Sequence, residues 1–189
     1  MALVSQSGME CTYMNTIRKA TPKDVDAVAL IFEHIIKEEE EGKCVIGWKR
    51  GIYPTRNTAA AALEQEDLFV MEEDGAVVAA MRLNKEQVPE YQNCRWKYPA
   101  DDDQVMVMHT LVVEPSAKKR GCGRKMVEFY EKYAQENNCP YLRIDTNAVN
   151  VRARALYKKL GYEEIGITPC AFNGIPGVNL VCIEKKLDL

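Results

Sequence analysis

Histidine is scarce in this chain: only His34 and His109 occur among 189 residues. None of the seven cysteines stands in a C-x-x-C pair. With so few imidazoles and no paired thiols at ligand spacing, no metal is expected. Long apolar runs are missing too. No stretch approaches the roughly 20 residues a membrane span needs, so no membrane partner is expected. Charge of one sign is not in excess, because 25 Lys and Arg face 28 Asp and Glu for a net charge of −3. Such a balance gives no general affinity for nucleic acid, and no nucleic-acid partner is expected. A signal peptide, an internal repeat and a Gly/Pro/Ser-rich linker are also lacking. The cysteines (Cys11, Cys44, Cys94, Cys122, Cys139, Cys170 and Cys182) are odd in number, in a chain too long to need stapling. They read as reduced thiols of a cytoplasmic protein.

What is present is an ordinary apolar fraction, 47%, in a length suited to one core. Residues 1–13 show no period and precede Met14; they read as a flexible leader or a non-native extension, with 14–189 as a single domain. Thr16 to Lys19 suggests a short strand. Thr21-Pro22-Lys23-Asp24 then opens a helix, with a capping residue, a proline at the first position and an acid in the first turn. Val25, Val28, Ala29, Phe32, Ile35 and Ile36 continue it at helical spacing towards Gly42. Its end, Glu38 to Glu41, reads as a solvated helix terminus. A loop with Trp48, Arg50, Tyr53 and Arg56 leads to a second helix near Asn57 to Glu64.

Two apolar runs, Leu68 to Glu72 and Ala76 to Leu83, flank Asp74-Gly75, a hairpin signal. Residues 86–103 read as irregular and carry Tyr91, Trp96 and Tyr98. A long strand, Val105 to Val113, is followed by a helix ending near Asn138, a strand from Tyr141 to Thr146, and a helix from Asn150 to Leu160 stopped by Gly161. Two last strands flank Asn173-Gly174. Helices alternate with strands, yet hairpins also occur, so a mixed sheet is expected.

Between the long strand and its helix lies Lys118-Lys119-Arg120-Gly121-Cys122-Gly123-Arg124. Glycine permits positive φ and close backbone approach. Consecutive N–H groups at a helix start form an anion nest, and the basic side chains add attraction. A pyrophosphate suits such a loop, as does a plain basic turn. The string is not a nucleoside-triphosphate loop, since no Gly-Lys-Ser/Thr follows, and it is not G-x-G-x-x-G.

The stretches VMHTLVVEPSAKKRGCGRKMV and LRIDTNAVNVRARALYKKLGY, together with the opening IRKATPKDVDAV, resemble the GNAT superfamily of acetyl-CoA-dependent N-acetyltransferases. The resemblance runs from Met14 across nearly the whole chain and is strongest over about a third of it. Lys118 departs from the Gln or Arg usual there but keeps the charge. The resemblance implies an α/β (α+β type) GNAT fold: a mixed, mostly antiparallel sheet of about seven strands and about four helices, its central strands splayed to admit the pantetheine arm. Along that arm it implies backbone pairing from Leu111, Val112 and Val113. The pyrophosphate would be held by Lys118, Lys119, Arg120, Gly121, Cys122, Gly123 and Arg124, and Asn150 would contact the cofactor. Tyr157 would bind it and act as general acid. Asn150 also suits a helix cap, and Tyr157 a core tyrosine. In this family the loop after the first helix lines the acceptor pocket, which implicates Trp48 and Tyr53.

The implied reaction is acetyl transfer from acetyl-CoA to a primary amine of a small-molecule or amino-acid-type acceptor, by direct attack in a ternary complex. The alternatives are a protein or peptide N-acetyltransferase, or a non-catalytic acyl-CoA-binding module. A base must remove a proton from the amine. His109 is the first candidate, by its usual pKa and its place on the long strand. Strand alternation puts Val107, His109 and Leu111 on one face if no bulge intervenes. Glu114 and Asp145 are alternatives, Asp145 also as a group that orients the amine, and a water relay needs no single base. Cys122, inside the phosphate loop, is assigned no chemistry. Homodimerisation stays open.

Overall fold

The computed structural model describes residues 15–188; the expected leader at 1–13 and Cys11 lie outside them. Among the described residues, seven strands form one sheet in the order β1-β2-β3-β4-β5-β7-β6. They are β1 Asn15–Lys19, β2 Leu68–Glu73, β3 Ala76–Asn84, β4 Val105–Val113, β5 Tyr141–Asn147, β6 Glu163–Phe172 and β7 Ile175–Lys186. The helices are α1 Val25–Glu40, α2 Arg56–Glu64, α3 Cys122–Glu136 and α4 Val151–Lys159. Every strand pair is antiparallel except β4 with β5. The β2–β3 and β6–β7 turns place both Asp74-Gly75 and Asn173-Gly174 at positive φ, the backbone that tight hairpins with right-handed twist require.

Period-2 alternation divides the sheet into two faces. Phe69, Met71, Met81, Met106 and Met108 pack with Met126, Val127 and Tyr130 of α3. Leu68, Val70, Ala80 and Val112 pack with Val28, Ile31 and Phe32 of α1 and with Ala59 and Ala62 of α2. Each large apolar side chain so buried contributes about 1.5–3 kcal/mol relative to exposure.

Two irregularities of β4 shape everything that follows. First, Ala80 pairs with Val112 but Arg82 pairs with His109, so Met81 faces two residues, Thr110 and Leu111. Thr110 sits at φ 50°, and this bulge breaks the alternation. Leu111 packs with the α3 face, whereas Val107 packs with Tyr91 on the opposite face. His109 and Leu111 are therefore not on one face, contrary to the simple strand reading. Second, β4 and β5 pair only from Val105–Tyr141 to Met108–Ile144. Beyond that point β4 stays with β3 as far as Val113, and β5 stays with β7 as far as Asn147. The central strands thus part. Just before they do, the Tyr130 hydroxyl lies 2.7 Å from the Met106 carbonyl oxygen and 3.1 Å from that of Arg143, tying both strands to α3.

Residues 86–103 are more ordered than their sequence suggests. Two short turns of 3-10 helix, Pro89–Asn93 and Asp102–Gln104, fold over the sheet. Tyr91 and Trp96 cover a small satellite core with Val105 and Val107, and the Arg143 guanidinium lies 4.2 Å from the Trp96 ring centre. The same segment corrects the reading of all cysteines as free thiols. Cys94 is joined to Cys182 of β7 across 88 residues, with a Cα separation of 6.6 Å. Cys44, Cys122, Cys139 and Cys170 are free.

Candidate active site

Where β4 and β5 part, a cleft of about 340 Å³ opens, bounded by both strands, α4 and β7, and roofed by residues 46–53. Trp48, Tyr53, His109, Leu111, Asp145, Asn150 and Tyr157, all singled out from the sequence, line it together.

The roof is a strap held by a residue that the sequence hid in an acidic run. The Glu39 carboxylate accepts backbone N–H bonds from Ile46 (2.9 Å), Gly47 (2.6 Å) and Trp48 (3.2 Å). Gly47 sits at φ 91°, and an added Cβ would stand 2.3 Å from Nδ2 of Asn147. A side chain here would strain the backbone and press on the Asn147 amide, so glycine suits the close approach of the strap to the end of β5. Trp48 packs edge-on between Phe32 and Tyr53, and the Tyr53 hydroxyl is hydrogen-bonded to Thr110 Oγ1 in the bulge. Burial pushes the Tyr53 pKa up to about 12. Glu38, the neighbour of Glu39, pairs with Lys118. The end of α1 is thus a structural hub at these two residues rather than a solvated terminus.

Asp145 lies deep in the cleft. The Tyr91 O–H donates to its Oδ2 at 2.7 Å. Burial pushes the carboxyl up to about pKa 6, with the Glu90 charge adding to the rise and the Tyr91 bond opposing it. Tyr157 is 5% exposed; burial first, then the Asp145 charge, push its pKa up, so the phenol keeps its proton.

His109 is differently placed. Its Nε2 lies 3.0 Å from Asn84 Oδ1. The Asn84 Nδ2 donates to Asp67 at 2.8 Å, which turns Oδ1 towards the ring and makes Nε2–H the donor. Burial, and then the Arg82 charge, pull the His109 pKa down to about 4. The ring is neutral at neutral pH and a weak base. Glu114 pairs with His34 at 2.9 Å and does not line the cleft.

The basic loop lies beyond the cleft, at the start of α3. Lys119 and Gly121 have φ of 67° and 81°, and Gly121 precedes the first helical residue. Gly123 abuts Leu156 of α4 and Val113 of β4, its built Cβ at 3.5 and 3.8 Å, so the loop borders both walls. Arg120 pairs with Glu73 at 2.5 Å, while Lys119 and Arg124 are exposed. The Cys122 side chain is buried, its thiol pointing 3.8 Å from the Ala117 carbonyl oxygen, and burial pushes its pKa up. Only its backbone faces the loop. Val112 is buried against α1 and α2. Asn150 Oδ1 accepts the Ala153 N–H at 3.2 Å, capping α4. Glu39 and Arg82 escaped the sequence reading, and Tyr91 stood out only as a loop aromatic, since each acts through a tertiary contact without a local motif. Among the described residues, no group of three or more His, Cys, Asp and Glu could hold a metal ion, and no helix is long and apolar enough to cross a membrane.

Comparison with known proteins agrees with this geometry. The chain is 25% identical over 150 residues to the uncharacterized N-acetyltransferase YhfO of Bacillus subtilis, covering 78% of this chain and 89% of that protein. The crystal structure of a GNAT-family acetyltransferase from Streptococcus agalactiae superposes with a TM-score of 0.77 at 22% identity, over 93% of this chain and 96% of that one. The structure of yncA from Salmonella typhimurium with its cofactor acetyl-CoA superposes with a TM-score of 0.65 at 19% identity, over 92% and 94% of the two chains. Residues 31–162 match the Acetyltransferase (GNAT) family, and with the parted central strands and the glycine loop before α3 in place, the chain belongs to that family.

Proposed function

We propose that this protein transfers the acetyl group of acetyl-CoA to the primary amine of a small acceptor, by direct attack in a ternary complex. The observation that carries the reading is the meeting of Asp145 and the protonated Tyr157 in one cleft where β4 and β5 part. The residues present suit acetyl-CoA. The Leu111 to Val113 edge of β4 is free of β5, as added-strand pairing with an extended pantetheine arm requires. The loop from Lys118 to Arg124 offers positive-φ backbone and cations at a helix start. Asn150, though it caps α4 through Oδ1, keeps Nδ2 for the ligand.

When bound, acetyl-CoA supplies an already activated thioester. The chain's task is to position the amine and to move two protons. Asp145, its pKa raised to about 6, takes the proton from the attacking amine. Tyr157 donates its phenolic proton to the departing sulfur. The bulge at Thr110 takes backbone out of the β3–β4 ladder beside the reaction centre, freeing amide donors for the carbonyl oxygen. His109, lowered to about pKa 4, serves better as a fixed wall than as the base. The strap from 46 to 53 roofs the acceptor side, which supports a small acceptor over a peptide laid in an open groove.

Acetyl-CoA at 100 times its dissociation constant should raise the melting temperature by roughly 5–10 °C, from about 2.7 kcal/mol of linkage and the usual sensitivity of a chain this size. Adenosine at matched concentration serves as the control. No difference between the two at saturation would remove the assignment.

Gly123→Glu should weaken acetyl-CoA binding at least tenfold. The new carboxylate meets a helix start built for anions, between Val113 and Leu156. Calorimetric titration of the folded variant checks this; unchanged affinity would show that the nest is not used.

A further inference from the structure

We infer that Arg82 reads a carboxylate on the acceptor, so that the acceptor class is an amino acid or another small amine with a carboxylate a few bonds from its nitrogen. The inference rests on reading the cleft as an amine N-acetyltransferase site. Arg82 lines the cleft and is paired in register with His109, next to the bulge. Its guanidinium is held on one side and left open on another. Nε donates to Asp67 Oδ2 at 3.3 Å, and Nη2 donates to Gln65 Oε1 at 2.6 Å and Glu86 Oε2 at 2.7 Å. Nη1 finds no acceptor among the described residues. The two carboxylate partners differ in kind. Asp67 is 19% exposed at its side chain and fixed by Asn84, whereas Glu86 is 59% exposed. Asp67 is the permanent counter-charge, and Glu86 is an exchangeable one.

A carboxylate arriving through the cleft can displace Glu86 from Nη2 and engage Nη1 as well. This is the two-pronged geometry for which the planar guanidinium is suited. The opposite charge stands across the same space. Tyr53, whose hydroxyl holds the bulge, lies within electrostatic range of both Arg82 and Asp145. A compact zwitterion therefore places its ammonium at Asp145 and its carboxylate at Arg82, with the nitrogen presented where β4 and β5 part.

The test uses the full chain with acetyl-CoA and sets of three acceptors that share a side chain: the amino acid, its carboxamide and the decarboxylated amine. Thiol release is measured for each. The amino acid should exceed the other two in kcat/KM by about 10–100-fold, the value of a charge-assisted, two-pronged contact at a partly exposed site. Arg82→Gln should collapse that ratio towards one. Calorimetry with the CoA-saturated protein should lose the amino-acid binding heat in the same variant. Glu86→Gln, at an exposed position, tests the inference without disturbing the Arg82 anchor. Removing the competing charge should raise kcat/KM for the amino acid several-fold relative to that for the decarboxylated amine. Equal or better turnover of the decarboxylated amines overturns the inference, as does an unchanged ratio in folded Arg82→Gln or an unmoved ratio in Glu86→Gln. Those results leave amine acetylation standing. Absence of thiol release with every amine would instead remove the acetyltransfer reading, and the role of Arg82 with it.

Discussion

Tyr157→Phe should lower kcat by about 10²–10⁴-fold, the usual worth of a positioned proton donor, and leave the dissociation constant for acetyl-CoA within about threefold. The asymmetry follows from the surroundings. The hydroxyl has no hydrogen-bond partner among the described residues, while the ring is 5% exposed and packed with Tyr162. Removing the oxygen therefore leaves no buried group orphaned and opens no cavity, so the fold should be as stable as before. The phenol is held protonated by burial and by the Asp145 charge. On the proposed mechanism, what is lost is only the proton delivered to sulfur as the carbon–sulfur bond breaks, an interaction that exists in the transition state and not in the ground state. Steady-state kinetics, paired with calorimetric titration of acetyl-CoA, separates the two quantities. An unchanged kcat would mean that water or the product ammonium protonates the sulfur.

The chemistry that the sequence displayed was the part carried by local motifs. Asn150 shows its capping role in Asn-x-x-Ala order, and the helical spacing of Tyr157 and Leu160 is visible without a structure. The loop around Gly121 announces a positive φ and a helix start. The hairpins at Asp74-Gly75 and Asn173-Gly174 are equally local, because their turn geometry is written in two residues. What stayed hidden was set by pairing between distant segments. The bulge at Thr110 exists because β3 and β4 fall out of register there, and nothing in VMHTLVV marks it. It moves Leu111 away from His109 and undoes a face assignment that simple alternation supports. Glu39 looks like any member of an acidic run until three N–H groups of a strap converge on it. Cys94 and Cys182 become neighbours only when the segment after β3 folds across β7. The preference for His109 as base rested on its ordinary pKa. Burial and Arg82 remove that basis, while the same burial brings Asp145 into the useful range.

Asp145→Asn should lower kcat by about 10²–10⁴-fold and yet stabilise the protein above pH 6. Both effects have one origin. Burial raises the carboxyl from 3.8 to about 6, so the folded protein resists the ionised form that the proposed proton transfer needs. Below pH 3.8 the carboxyl is protonated in both folded and unfolded chains, and it imposes no penalty. As pH rises from there to about 6 the unfolded chain releases its proton first, so stability falls; above about 6 the deficit is constant. A shift of this size corresponds to at most about 3 kcal/mol. Asparagine cannot ionise, and its carbonyl oxygen can still accept the Tyr91 O–H. The melting-temperature gain of the variant should therefore be near zero at pH 4, grow towards pH 6 and level off beyond. In the wild-type enzyme kcat at saturating amine should rise with pH up to about 6 and then flatten, because the base must be ionised to take a proton. A limb owed to His109 would lie near pH 4 instead, so its position identifies the group before any variant is made. Retention of full kcat in Asp145→Asn, with the limb still near pH 6, would place the base elsewhere. Loss of kcat without the stability gain would mean that Asp145 is solvated and its carboxyl unshifted. Loss of kcat together with the gain is expected, because a carboxylate held in a site that opposes its charge is most reactive towards the proton of the amine before it.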